Sequence, residues 1–105
     1  MKQLTDFEYC AKKLKALADK ERLRIVECLL AGPKNVGEVA AELDEEIVKV
    51  SHHLGVLRDA ELVQSLKQGR FVVYELHPDV AHNPAATRDA RSLDLGCCKL
   101  NLKSR

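Results

Sequence analysis

Two cysteines stand side by side near the end of this chain, Cys97 and Cys98, directly after Gly96. Thiolates are soft ligands that suit a thiophilic ion, and neighbouring thiols also do redox chemistry. The flanking run, Ser92-Leu93-Asp94-Leu95-Gly96-Cys97-Cys98-Lys99-Leu100-Asn101-Leu102, alternates like a strand but with one slip. Leu93, Leu95 and Cys97 share one phase, and Cys98, Leu100 and Leu102 share the other. Neighbours on a regular strand face opposite sides, so the slip at a glycine predicts a β-bulge that turns both sulfurs toward one ion. Three uses of the pair stay open on the residues alone: packing, a redox switch, or a soft-ion site. The third would leave a ligand position for Cys10, a small-molecule thiol or water. Cys28, within an apolar helix, is expected in or beside the core as a small hydrophobe. No dense His/Asp/Glu cluster suited to zinc and no carboxylate cage suited to calcium is visible. A vicinal pair is not the C-x-x-C of a thiol oxidoreductase, and no motif sets a nucleophile beside a base, so the chain is read as no enzyme.

The second set of reactive side chains is Lys49, Ser51, His52 and His53, within Val50-Ser51-His52-His53-Leu54-Gly55-Val56-Leu57-Arg58-Asp59-Ala60 and the turn before it. With helical periodicity, Ile47, Val50, Leu54 and Leu57 form one apolar stripe. Val48, Lys49, His52 and Gly55 point the other way, with Ser51 and His53 on the flanks. A lightly charged outward face of small and hydrogen-bonding groups suits a helix pressed into a groove. An ordinary amphipathic helix with solvated histidines would carry the same stripe.

The elements that must position these groups are readable from caps and periods. Thr5-Asp6-Phe7-Glu8 is a capping box, with Leu4 placed to staple onto Tyr9. The helix it opens carries Phe7, Cys10, Ala11, Leu14, Leu17 and Ala18 on one side. That side is more than so small a domain buries alone, which predicts a homodimer. Asp19 is an N-cap for a second, largely apolar helix that stops at Gly32-Pro33. Asn35-Val36-Gly37-Glu38 is another capping box, opening a short helix to about Leu43, and Asp44 is expected to cap the helix after it. Two helices joined by a very short turn make a helix-turn-helix. The period then changes: Leu62–Lys67 and Phe71–Leu76 read as strands of a hairpin, a wing, whose tip carries Lys67 and Arg70 around Gly69. From Ile47 to Arg70, the cations Lys49, Arg58, Lys67 and Arg70 face only Asp59 and Glu61. That surplus lies where phosphates would sit.

The 105 residues are 46% apolar with net charge +1 and no tryptophan, which bounds one folded domain with a Leu/Val/Ala-rich core. The near-neutral charge neither demands nor excludes nucleic acid. No apolar run nears membrane-spanning length and the start is no signal peptide, so the cytosol is the expected address and no membrane partner is expected. The fold class is mainly α with a small β-hairpin, a winged helix-turn-helix over residues 1–78. Residues 79–105 are read as an irregular C-terminal segment whose short strand carries the paired cysteines.

Helix, helix, helix-turn-helix and wing together resemble the arsenic-responsive (ArsR/SmtB-type) winged-helix repressors. The resemblance rests on Leu14-Lys15-Ala16-Leu17-Ala18-Asp19-Lys20-Glu21-Arg22-Leu23-Arg24-Ile25, on Val50-Ser51-His52-His53-Leu54, on Leu57-Arg58-Asp59-Ala60-Glu61-Leu62-Val63, and on Gly69-Arg70 with Val73-Tyr74-Glu75-Leu76. It implies a homodimer that binds a palindromic operator in double-stranded DNA and releases it when an inducer, often a metal or metalloid ion, is bound. Some members place thiols near the C-terminus, as Gly96-Cys97-Cys98 does here, so As(III) or another soft thiophilic ion is the expected effector at Cys97 and Cys98. Lys49, Ser51 and His52 are expected at base edges, and His53 is expected on phosphate or fixing the helix. Arg70 is expected in the minor groove or on a phosphate, with Lys67 beside it. Glu61 stands where such proteins commonly have glycine, and the paired cysteines that many carry in or before the helix-turn-helix are missing. Two other readings stay open: a thiol redox-responsive repressor, and a winged-helix protein-interaction module without DNA.

Overall fold

The Asp19 carboxylate accepts the Arg22 backbone N–H at 3.0 Å, the N-cap bond that the sequence predicts. The chain therefore breaks between α1 (Asp6–Leu17) and α2 (Lys20–Leu30). In this computed structural model residues 6–81 and 92–102 are described. The predicted capping box at Thr5, the Leu4 staple and the break at Asn83-Pro84 lie wholly or partly outside them. α2 stops where Gly32, at φ +142°, donates its N–H to Leu29 O at 3.1 Å.

A two-residue strand that the sequence does not reveal, β1 (Lys34–Asn35), precedes α3 (Val36–Leu43). Both bonds of the Asn35–Glu38 capping box are made, at 2.9 and 2.8 Å. Asp44 is expected to cap the next helix; the structure uses it instead to end α3. It takes the left-handed conformation (φ 54°), and Glu45 N–H reaches back to Ala40 O at 3.0 Å. A short polar side chain tolerates that conformation, and a residue bent into the stop of one helix cannot also stand at the cap of the next. Glu46 occupies the N-cap position of α4 (Ile47–Asp59) with no side-chain cap bond.

α4 buries Val50, Leu54 and Leu57, three members of the predicted stripe. Ile47 departs from it and is 55% exposed. The helix ends in a Schellman arrangement around Glu61: Glu61 N–H bonds Arg58 O and Leu62 N–H bonds Leu57 O, both at 2.9 Å. Leu57 and Leu62, the hydrophobic pair of that motif, are fully buried. β2 (Val63–Gln68) and β3 (Phe71–Leu76) follow as the antiparallel wing, turning through Gly69 (φ +60°) and Arg70. β1 adds to the other edge of β3, giving the order β1-β3-β2.

The predicted bulged strand at the C-terminus is instead a hairpin of β4 (Ser92–Asp94) and β5 (Lys99–Asn101), paired within the same chain. Gly96, at φ +97°, takes the first central position of the turn, where a two-residue hairpin turn needs positive φ. Leu95 N–H closes the turn on Cys98 O at 2.9 Å. A tight reversal inverts the alternation just as a bulge does, which is why the slip misleads. Asp94 N–H bonds Val80 O at 2.9 Å, tying this hairpin to the turn after the wing. Val80, Leu93 and Leu95 join Ile25, Val26, Val39, Leu54 and Leu62 in one buried cluster. Among the described residues no polar or charged residue is buried.

α1 divides its apolar residues between two directions. Cys10, Ala16 and Leu17 enter the core. Phe7, Ala11 and Leu14, one helical face apart, stay outside, with Phe7 79% and Leu14 40% exposed.

Candidate nucleic-acid interface and thiol cluster

The outward face of α4 is exposed at Val48, Lys49, Ser51 and His52. The Lys49 ammonium lies 3.8 Å from the Glu45 carboxylate, so its charge is partly met from the turn before the helix. His53 is half-buried and points back into the domain. Its Nδ1 is 3.1 Å from Arg22 Nη1. A guanidinium only donates, so Nδ1 accepts and the ring proton sits on Nε2. The same Arg22 donates from Nε to Ala16 O at 2.6 Å and lies 3.8 Å from Asp19. Arg22 thus bridges the end of α1, the start of α2 and the flank of α4. The sequence gives no hint of this role, because Arg22 and His53 lie 31 residues apart. The Asp19 carboxyl is held below the usual carboxylate range, chiefly by the Arg22 backbone N–H.

Lys67 and Arg70 are both exposed at the far end of the wing, Lys67 opposite Val72 and Arg70 within the turn. Gln64 Nε2 donates to Glu75 at 2.5 Å across the strands nearer its base.

Cys97 and Cys98 sit at the turn of the C-terminal hairpin, and the structure brings Cys10 of α1 to them. The three sulfurs lie within 4.8 Å of one another. Cys10 and Cys97 are joined as a disulfide, and Cys98 Sγ is 3.8 Å from Cys10 Sγ. The Cys10 and Cys98 sulfurs are therefore near enough for one soft ion to reach both once the disulfide is reduced. Reduction of the pair by two electrons and two protons returns the remaining two thiols. The open cleft of about 460 Å³ beside Cys97, lined by Asp6, Phe7, Tyr9, Leu95 and Gly96, gives solutes access to the cluster. Cys28 is apart from it, buried beneath α3 with Lys34 donating to its carbonyl at 2.7 Å. Burial, with the Glu42 carboxylate as acceptor, pushes the Cys28 thiol up to about 11.

This arrangement of helices and wing has known counterparts. The sequence profile described as "Bacterial regulatory protein, arsR family" matches residues 19–65. The transcriptional repressor SdpR of Bacillus subtilis is 32% identical over 66 residues, covering 63% of this chain and 73% of SdpR. The chain belongs to the ArsR family. The arsenical resistance operon repressor of Escherichia coli is 40% identical over 67 residues, which cover 63% of this ArsR-family chain but only 57% of that repressor. The homodimeric winged helix-turn-helix DNA-binding domain Mb0332 of Mycobacterium bovis superposes with a TM-score of 0.65 at 26% identity. That superposition covers 73% of this chain and 76% of that domain. Fold and relatives are those of transcriptional regulators and not of enzymes, and no described helix is long and apolar enough to cross a membrane.

Proposed function

We propose that this chain is a homodimeric repressor whose grip on operator DNA is released when Cys10, Cys97 and Cys98 bind a soft thiophilic ion, As(III). The carrying observation is the meeting of three sulfurs from opposite ends of the chain. Trivalent arsenic prefers three sulfur ligands, and no described His or carboxylate joins the group to favour a harder ion. The bulged-strand expectation assigned Cys97 and Cys98 and left the third position to Cys10, a small-molecule thiol or water; the nearness of the Cys10 sulfur to the hairpin turn supports Cys10.

Coupling to DNA follows from where Cys10 stands. Phe7, Ala11 and Leu14, on the outer face of the same helix, form the surface that a second copy would cover. An ion that draws Cys10 toward the hairpin acts on the helix that sets subunit geometry, and hence on the spacing of the two copies of α4. On each subunit, Lys49, Ser51 and His52 approach base edges in a palindromic operator, while Lys67 and Arg70 on the wing meet the backbone or minor groove. His53 fixes the helix through Arg22.

The Cys10–Cys97 disulfide favours a second reading, in which an oxidant such as peroxide takes two electrons and two protons from those thiols and is reduced to water. One titration separates the two. Arsenite added to the reduced protein on its promoter DNA should release wild type at low micromolar levels and leave the Cys97→Ser, Cys98→Ser double variant bound. Release by peroxide and not by arsenite would favour the redox reading instead. Release of the double variant at the wild-type arsenite concentration would refute the soft-ion site.

A further inference from the structure

Val48 occupies the centre of the α4 face that points away from the core. It shares a helical stripe with Ser51, His52 and Gly55, three, four and seven residues on. Its side chain is 79% exposed, and Ile47 before it is 55% exposed, whereas Val50, Leu54 and Leu57 on the opposite side are buried. No packing within the domain holds a large β-branched residue here, and β-branched residues are mediocre helix formers. A helix turn built for solvent alone gains nothing from two of them in succession.

In the major groove most base-edge positions offer a hydrogen-bond donor or acceptor, and the C5-methyl of thymine is the one apolar group that projects into it. The first turns of a recognition helix lie closest to the bases. Gly55, two turns along the stripe from Val48, has no Cβ and meets nothing within 4 Å of where one would be, so the stripe lies open for close approach. We infer that Val48 is a specificity-determining residue that packs on a thymine methyl in each half-site, beside the polar readout from Ser51 and His52. The inference rests on α4 being the recognition helix and adds an apolar contact to it.

The test uses duplexes selected by the reduced wild-type protein from a randomised pool. Each thymine of the selected half-site is replaced in turn by deoxyuridine, which removes the methyl and nothing else. Wild type should lose about three- to five-fold in affinity at one or two positions, the scale of one buried methyl group. Val48→Ala should be weakened on the thymine duplex and indifferent to the same uracil substitution, while Ser51→Ala should keep the wild-type response to it. A uracil penalty equally large in Val48→Ala would overturn the assignment, as would a selected site with no uracil-sensitive thymine. If the pool yields no enriched duplex at all, the recognition-helix reading fails and takes this one with it.

Discussion

Glu61→Gly should stabilise the protein. Glu61 holds φ 61°, a left-handed conformation that costs an L-residue roughly 1–2 kcal/mol. Glycine removes that cost and in exchange loses more conformational entropy on folding, about 0.5–1 kcal/mol relative to alanine. The two hydrogen bonds of the helix stop are donated by backbone N–H groups of residues 61 and 62, and the Leu57–Leu62 contact lies on its neighbours, so the substitution leaves all three in place. The net gain is about 0.5–1 kcal/mol. In a domain of this size that raises the melting midpoint by about 2–6 °C. Urea melts at fixed protein concentration, with the dimer equilibrium held constant, read the change directly. Glu61→Ala keeps the strain and should lie within about 0.5 kcal/mol of wild type. A loss of stability in Glu61→Gly equal to that in Glu61→Ala would show that the glutamate side chain, and not the backbone, matters at the helix exit.

Asp19→Ala removes the cap of α2 and should cost about 1 kcal/mol in the same urea melts, with a cost below a few tenths contradicting the cap. The Cys28 thiol, raised from 9.0 to about 11 by burial and by its bond to Glu42, stays protonated in the fold where an unfolded thiol ionises. The folded state then holds the extra proton, so stability should fall by roughly 1–2 kcal/mol as pH rises from 9 to 11, and Cys28→Ala should flatten that decline. Arg70→Ala should weaken binding to all duplexes alike, whereas Ser51→Ala and His52→Ala should narrow the gap between operator and random DNA, by roughly 1–3 kcal/mol each. Unchanged discrimination in both would reassign the reading face, and a wild-type affinity insensitive to salt would argue for a protein partner in place of DNA.

Caps and periods carry most of this fold in plain view. Asp19, the Asn35–Glu38 box, the stop at Gly32-Pro33 and the change of period into the wing all stand where the sequence puts them. What it hides depends on long-range placement. β1 is two residues that become a strand only because β3 offers an edge. Phe7, Cys10, Leu14 and Leu17 read as one apolar side, and only the packing of α1 on α2 and α4 sends Cys10 and Leu17 inward and leaves Phe7 and Leu14 outside. Asp44 satisfies the rule for a helix start and the rule for a left-handed stop, and only the tightness of the connection decides between them. A bulge and a reversal at Gly96 leave the same mark on the alternation, so the strand and the hairpin are indistinguishable in the residues. Cys10 is a bare candidate among four cysteines in the sequence; 87 residues separate it from Cys97, and no local pattern could join them.

The claim that one ion is shared by α1 and the C-terminal hairpin is tested most directly by counting sulfurs around it. Arsenic X-ray absorption on the reduced protein, loaded with one equivalent of arsenite in a buffer free of small thiols, reports the number and type of ligands. Wild type should show three sulfurs, and Cys10→Ser should show two sulfurs and one oxygen. Two sulfurs and one oxygen in the wild type, or three sulfurs retained in Cys10→Ser, would contradict the assignment of Cys10 as the third ligand.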